Sequence, residues 1–302
     1  MRYLHLDVFA ERPLEGNQLA VFPEPAGLST ADMQAIAQEM NFSESTFIFP
    51  ADTPGPGRAR MRIFTPSTEL PMAGHPTIGS TFALASEGTI EPGRTDFVFE
   101  LGVGPTPVSM TWVGGRLDFA WMTQLLPAFK ATLEDRTALS AAMGLDERDL
   151  VDGLPLEVVS CGVPYLLVPL VSRSAVDRGA MDRRGFARCF VQAGLDETPV
   201  FFFTLDSAGR VGDETVYSRM LAPGAGIAED PATGSASGPL GSYLVHHELV
   251  DSAAAQHIVS LQGVAMGRPS RIHVCIDSSD GGVTRVRVGG RAILVGRGDL
   301  LI

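Results

Sequence analysis

Alternation of apolar and polar residues between turn residues predicts strands over 3–9, 19–22, 46–49, 58–64, 96–100, 108–112 and 116–121. A second series follows over 157–159, 165–168, 200–204, 216–221, 271–276, 283–288 and 292–295. Helical periodicity is rarer. Met33, Ile36, Ala37 and Met40 recur at helical spacing behind Ser29 or Thr30 as N-cap and Asp32 in the first turn, and 130–143 and 177–193 also read as helices. The stretches 73–85 and 236–245 are small or apolar nearly all round, which suits a helix enclosed by other elements. Residues 125–130, containing Pro127, separate the two series and read as a crossover.

The two series echo one another. His75-Pro76-Thr77-Ile78-Gly79-Ser80 recurs in altered form as Asp230-Pro231-Ala232-Thr233-Gly234-Ser235, behind the similar runs Arg62 to Pro66 and Arg219 to Pro223. Gly16 to Val21 and Gly162 to Leu167 are each a turn leading into an apolar strand. Such repetition predicts one supersecondary unit used twice. In this alignment His75 and Asp230 stand at matching positions and converge if the halves face each other. Asp230 then serves as N-cap and Pro231 as first residue of the second enclosed helix, with Pro223, Gly224 and Gly226 keeping the approach in a loop. Two helix N-termini at one boundary would offer unpaired N–H groups to a small carboxylate, and Gly74, Gly234 and Ser235 would let backbone come close to it.

Composition narrows the function. The 302 residues suit two lobes, and 45% hydrophobic with 19% charged residues is the balance of a globular chain. A net charge of −12 repels nucleic acid. No apolar run reaches the roughly 18 residues of a membrane span and the N-terminus lacks a signal-peptide core, so the expected location is cytoplasmic with no membrane partner. Cys161, Cys189 and Cys275 lie far apart and are expected as reduced, buried thiols. No nucleotide-binding glycine loop, metal-ligand spacing or G-x-S-x-G elbow is present, and the site is expected to work without metal or organic cofactor.

Three polar residues carry the candidate chemistry. Glu44 lies in a polar island, Asn41 to Phe47, just before an apolar strand, where it is either a solvated carboxylate or one partly buried in the cleft with a raised pKa suited to proton transfer. His75 is either a packing residue or, opposite Asp230, half of a charge-assisted pair. His246 and His247, at the polar end of the second enclosed helix, are expected in solvent.

Arg62 to Pro66, Glu69-Leu70-Pro71, Ala73 to Gly79 and Glu229 to Ala236, with Asp7-Val8-Phe9 and Gly16-Asn17, closely resemble the PhzF-type phenazine-biosynthesis family over essentially the whole chain. The resemblance implies a mixed α/β, diaminopimelate-epimerase-like fold, with two pseudo-symmetric lobes, each a rolled mixed sheet around a central helix. The expected lobes are 1–125, completed by about 290–302, and 126–289. It also implies a homodimer and an isomerase that moves a proton between carbons of a trans-2,3-dihydro-3-hydroxyanthranilate-like carboxylate. Carried over, Glu44, His75 and Asp230 are catalytic, and Ser43, Gly74, Thr233, Gly234 and Ser235 bind substrate. Gly16-Asn17-Gln18 departs from the family's Gly-Asn-Pro, and neither helix start has the cysteine of two-base epimerases. A single-base epimerase or racemase of a small acid and a non-catalytic small-acid binding protein remain as alternatives.

Overall fold

Eighteen strands among the described residues of a computed structural model (1–25, 27–53, 55–210, 212–222, 227–279 and 282–302) join in one continuous mixed sheet. In the first lobe β1 (Arg2–Val8) pairs antiparallel with β2 (Asn17–Phe22), β2 parallel with β3 (Glu44–Pro50), and β3 antiparallel with β4 (Arg58–Phe64), which the short β5 (Glu69–Leu70) flanks. From there β4 runs parallel to β6 (Asp96–Leu101), followed antiparallel by β7 (Gly104–Val113) and β8 (Arg116–Gln124).

After β9 (Ala128–Thr132), the second lobe repeats these pairings step for step. Its strands are β10 (Glu157–Ser160), β11 (Pro164–Pro169), β12 (Val200–Thr204), β13 (Val216–Ala222) with the short β14 (Ile227–Asp230), β15 (Ile258–Gln262), β16 (Ser270–Ser279) and β17 (Gly282–Gly290). Among the described residues three strand pairings tie the lobes together. β9 leaves β8 to pair with β10, β18 (Ala292–Asp299) leaves β17 to pair with β1, and β8 and β17 pair antiparallel. The architecture is therefore the pseudo-symmetric, epimerase-like one that the resemblance implies.

Parallel neighbours cannot be joined by a tight turn, so helices carry the crossovers. In the first lobe these are α1 (Thr30–Met40) and the enclosed α2 (Gly74–Ser86). In the second lobe, after α3 (Arg136–Ala142), they are α4 (Arg173–Arg178), α5 (Arg183–Ala193) and the enclosed α6 (Gly234–His246). Ser29 and Asp32 form a capping box on α1, and Asn41 ends it in the left-handed conformation at φ 52°. Among the described residues no helix is long and apolar enough to cross a membrane. All three cysteines are buried and free, as expected.

Two expected helices are redrawn. Residues 130–132 extend β9, and the helix begins only at Arg136, where Asp135 caps it. The helix expected over 177–193 is broken, because Arg219 Nη1 takes the carbonyls of Val176, Asp177 and Gly179 at 2.7–3.0 Å and Asp182 starts a new helix as N-cap. A side chain that satisfies a helix's terminal carbonyls removes the incentive to continue it.

The repeat is real but in a different register. β5 places Leu70 opposite Ile63, while β14 places Asp230 opposite Met220. Two bidentate ion pairs fix the same alignment: Arg62 with Glu69 at 2.6–2.7 Å, and Arg219 with Glu229 at 2.8–2.9 Å. Both enclosed helices then begin at glycine, Gly74 and Gly234. The counterpart of Asp230 is therefore Leu70, and that of His75 is Ser235. Asp230 is not an N-cap, because it closes β14 and Thr233 takes the cap position. The expected loop residues Pro223, Gly224 and Gly226 lie outside the described residues.

One pair in two settings makes a direct test of context. Arg219 and Glu229 side chains are 10% and 17% exposed, against 23% and 39% for Arg62 and Glu69. Glu229→Ala should lower unfolding stability by about 2–4 kcal/mol, since it removes the carboxylate partner of a mostly buried guanidinium that keeps only backbone carbonyls. Glu69→Ala should change it by about 1 kcal/mol or less. Chemical denaturation of both variants would measure this, and equal losses would contradict it.

Candidate active site

The N-termini of α2 and α6 meet. A Cβ built on Gly74 would lie 2.6 Å from Gly234 Cα and from Ser235 N, so only hydrogen fits there. The two glycines thus let one helix approach the other. Beside this junction lies a cavity of about 100 Å³ bordered by Glu44, His75, Asp230 and Ser235. Gly74, Thr233 and Gly234 also line it. A wider groove of about 470 Å³ lies outside β4 and β5, but its Arg62 and Glu69 are already paired with each other. The smaller cavity is the one that brings Glu44, His75 and Asp230 together.

Glu44 arrives there because Asn41 turns the chain at the end of α1 and β3 then pairs with β2, setting Glu44 beside Leu19. The carboxyl is buried, not solvated. Its Oε2 comes within 3.3 Å of His75 Nδ1 but has no aligned hydrogen bond among the described residues. Burial, and then the charge of Asp230, hold its pKa well above the ordinary range.

Asp230 is buried too, yet better solvated by protein. Asn17 Nδ2 and Ser43 Oγ donate to its Oδ1 at 2.8 and 2.9 Å, and Thr233 Oγ1 donates to Oδ2 at 2.6 Å. Burial raises its pKa, while the donors from Thr233, Ser43 and Asn17 pull it back. Three donors stabilise the ionised form of Asp230, whereas Glu44 Oε2 has none among the described residues, so the environment favours the charge on Asp230 and the proton on Glu44.

Burial pushes the His75 pKa down to about 3, against a weaker opposing contact with the Gln18 backbone. The imidazole is neutral at physiological pH. The expected charge-assisted pair with Asp230 is replaced by a bridge in which Asn17 Nδ2 lies 3.2 Å from His75 Nδ1 and also donates to Asp230 and to Ala232 O. His75 Nε2 is buried without a partner among the described residues.

Sequence reasoning did not single out Asn17, Gln262 or Tyr165 as site residues. Gln262 donates to Asp230 O and Thr233 Oγ1 and accepts from Thr233 N, which fixes the turn into α6. Asn17 is held from a distance. Arg268 reaches back to Asp7 and to the Glu15 and Gly16 carbonyls, clamping the turn that delivers Asn17. The Gly-Asn pair at a strand start was the available signal. Tyr165 lies in β11 and lines the cavity. His247, expected in solvent, instead lies 2.9 Å from Glu157 Oε2, because β10 brings that carboxylate to the end of α6.

A model of the family described as phenazine biosynthesis-like protein, PhzC-PhzF, matches residues 6–298. The trans-2,3-dihydro-3-hydroxyanthranilate isomerase of Pseudomonas aeruginosa is 34% identical over 304 residues, covering 98% of each chain. A protein of Mesorhizobium japonicum, named only as an uncharacterized isomerase, is 34% identical over 99% of this chain and 98% of its own. A solved structure from Pseudomonas aeruginosa, described as a predicted epimerase, has a TM-score of 0.82 at 36% identity, over 100% of this chain and 99% of the other.

Proposed function

The chain belongs to the phenazine biosynthesis-like (PhzC-PhzF) family and is an isomerase, and we propose that it moves a proton between carbons of a small carboxylate of the trans-2,3-dihydro-3-hydroxyanthranilate type. The observation that carries this reading is the state of Glu44, a buried carboxyl with raised proton affinity and one oxygen left without a protein donor, facing a small cavity. In its ionised form Glu44 takes a proton from a substrate carbon. The electron pair of the broken C–H bond delocalises through the adjacent double bond toward the substrate carboxylate. Glu44 then returns the proton to a second carbon, where a new C–H bond forms and the double bond has moved.

The neighbours suit that cycle. Neutral His75, 3.3 Å away, adds no fixed positive charge that would lower the basicity of Glu44. Asp230, held by Asn17, Ser43 and Thr233, forms part of the same cavity wall. A general acid or base works through reach first and pKa second, and Glu44 meets both conditions.

NMR in D₂O with trans-2,3-dihydro-3-hydroxyanthranilate tests the proposal. Expected are double-bond migration and deuterium at the receiving carbon wherever the Glu44 proton exchanges with solvent before return. Inversion at one carbon without migration would replace the reading with a single-base epimerase. Binding with neither change would leave a small-acid binding protein.

A further inference from the structure

The Tyr165 hydroxyl lies 2.7 Å from Ser235 Oγ, and the two residues are 5% and 7% exposed. Two hydroxyls carry two donor hydrogens, and the bond between them uses one. Among the described residues neither hydroxyl has a second acceptor. Whichever way the bond points, one hydrogen is left over in a buried place. Both residues border the cavity, which is the outlet available to it.

The surrounding acceptors do not take that hydrogen. Asp230 Oδ1 receives Asn17 and Ser43 and Oδ2 receives Thr233, and the unpartnered Glu44 Oε2 has no hydrogen bond from either hydroxyl among the described residues. Ser235 stands in the first turn of α6, where its own backbone N–H and that of Gly234 have no intrahelical acceptor, and His75 stands in the first turn of α2 with Nε2 unpartnered among the described residues. This wall of the cavity is rich in donors and calls for a ligand rich in acceptors. Burial, with Asp230 and Glu44 adding to it, raises the Tyr165 phenol pKa, so Tyr165 stays a donor throughout the physiological range.

Building on the carboxylate substrate proposed above, the structure assigns Tyr165, paired with Ser235, as the side-chain donor that receives the substrate carboxylate and orients it for Glu44. Hydrogen bonds to a charged group are the strong ones, so the pair would favour a carboxylate over a neutral isostere.

Titration calorimetry of the full chain with anthranilate and with its neutral isostere anthranilamide tests this. Tyr165→Phe should weaken anthranilate by about 10- to 100-fold and anthranilamide by no more than a few-fold. Ser235→Ala should weaken anthranilate comparably, and the double variant by little more than either single change, because the two act as one unit. Equal losses for both ligands would make Tyr165 a structural residue and overturn the assignment. So would wild-type affinity in Tyr165→Phe, or a wild type that does not bind anthranilate. Turnover separates this inference from the reaction it rests on. A pair that fails these tests while the wild type still isomerises trans-2,3-dihydro-3-hydroxyanthranilate sinks only the pair. Discriminating anthranilate binding without any turnover sinks only the reaction.

Discussion

Glu44→Gln should reduce kcat by about 10²–10⁴ while leaving ligand affinity within a few-fold of wild type. The amide matches the carboxyl in size, and the cavity walls contributed by His75, Asp230 and Ser235 stay in place, so the loss isolates the proton carrier. The pH dependence follows from the raised pKa. Glu44 must be ionised to take a proton, so wild-type kcat/KM should rise with pH through a limb above the ordinary carboxylate range. Stability should run the opposite way. A carboxyl whose pKa is raised on folding contributes stability that is fully present below its unfolded value and is lost as pH rises through the folded one. Glu44→Gln cannot ionise and escapes that loss, so thermal denaturation should show it more stable than wild type at neutral pH and nearly equal near pH 4. An active, unstabilised Gln variant would remove Glu44 from the role of base.

The buried setting of Glu44 was only half legible in the sequence. The polar island around Glu44 marked a candidate, but burial depends on the second lobe closing over β3, which no local pattern encodes. The repeat shows the same limit. Matching Pro and Gly-Ser letters aligned His75 with Asp230, whereas the spatial register is set by the ion pairs of Arg62 with Glu69 and Arg219 with Glu229, together with strands β5 and β14 of only two and four residues. Strands that short leave no periodicity to read. Asn17 lay within a noted motif, yet its role is fixed by Arg268, from the far end of the chain. By contrast, α1 was readable because its capping box and apolar face are local, and the long strands because alternation marks them directly. What was legible is what near neighbours decide. The unread part of the site is held by contacts between residues far apart in sequence.

Gly74→Ala should be the most disruptive single-methyl change at the site. Gly74 does not have the positive φ that L side chains avoid, and alanine favours a helix over glycine by about 1 kcal/mol, so local preference alone predicts a slight gain. Packing predicts the reverse. The new Cβ would meet Gly234 Cα and Ser235 N at 2.6 Å, and these are backbone atoms at the start of α6 that cannot rotate aside. Relief requires the two helix N-termini to separate by roughly 1 Å, and overpacking of this kind costs about 1–3 kcal/mol. The same displacement moves His75 and Ser235 relative to each other, and a shift near 1 Å in a catalytic constellation can lower the rate about 10²-fold. Gly234→Ala provides the graded control, since its Cβ would meet the Phe9 ring at 3.0 Å and Gly74 Cα at 3.1 Å, a milder conflict. Denaturation midpoints and kcat should therefore fall in the order wild type, Gly234→Ala, Gly74→Ala. If Gly74→Ala is as stable and as active as wild type, the helices are not held in contact at this point, and the junction that places His75 against the second lobe must be drawn differently.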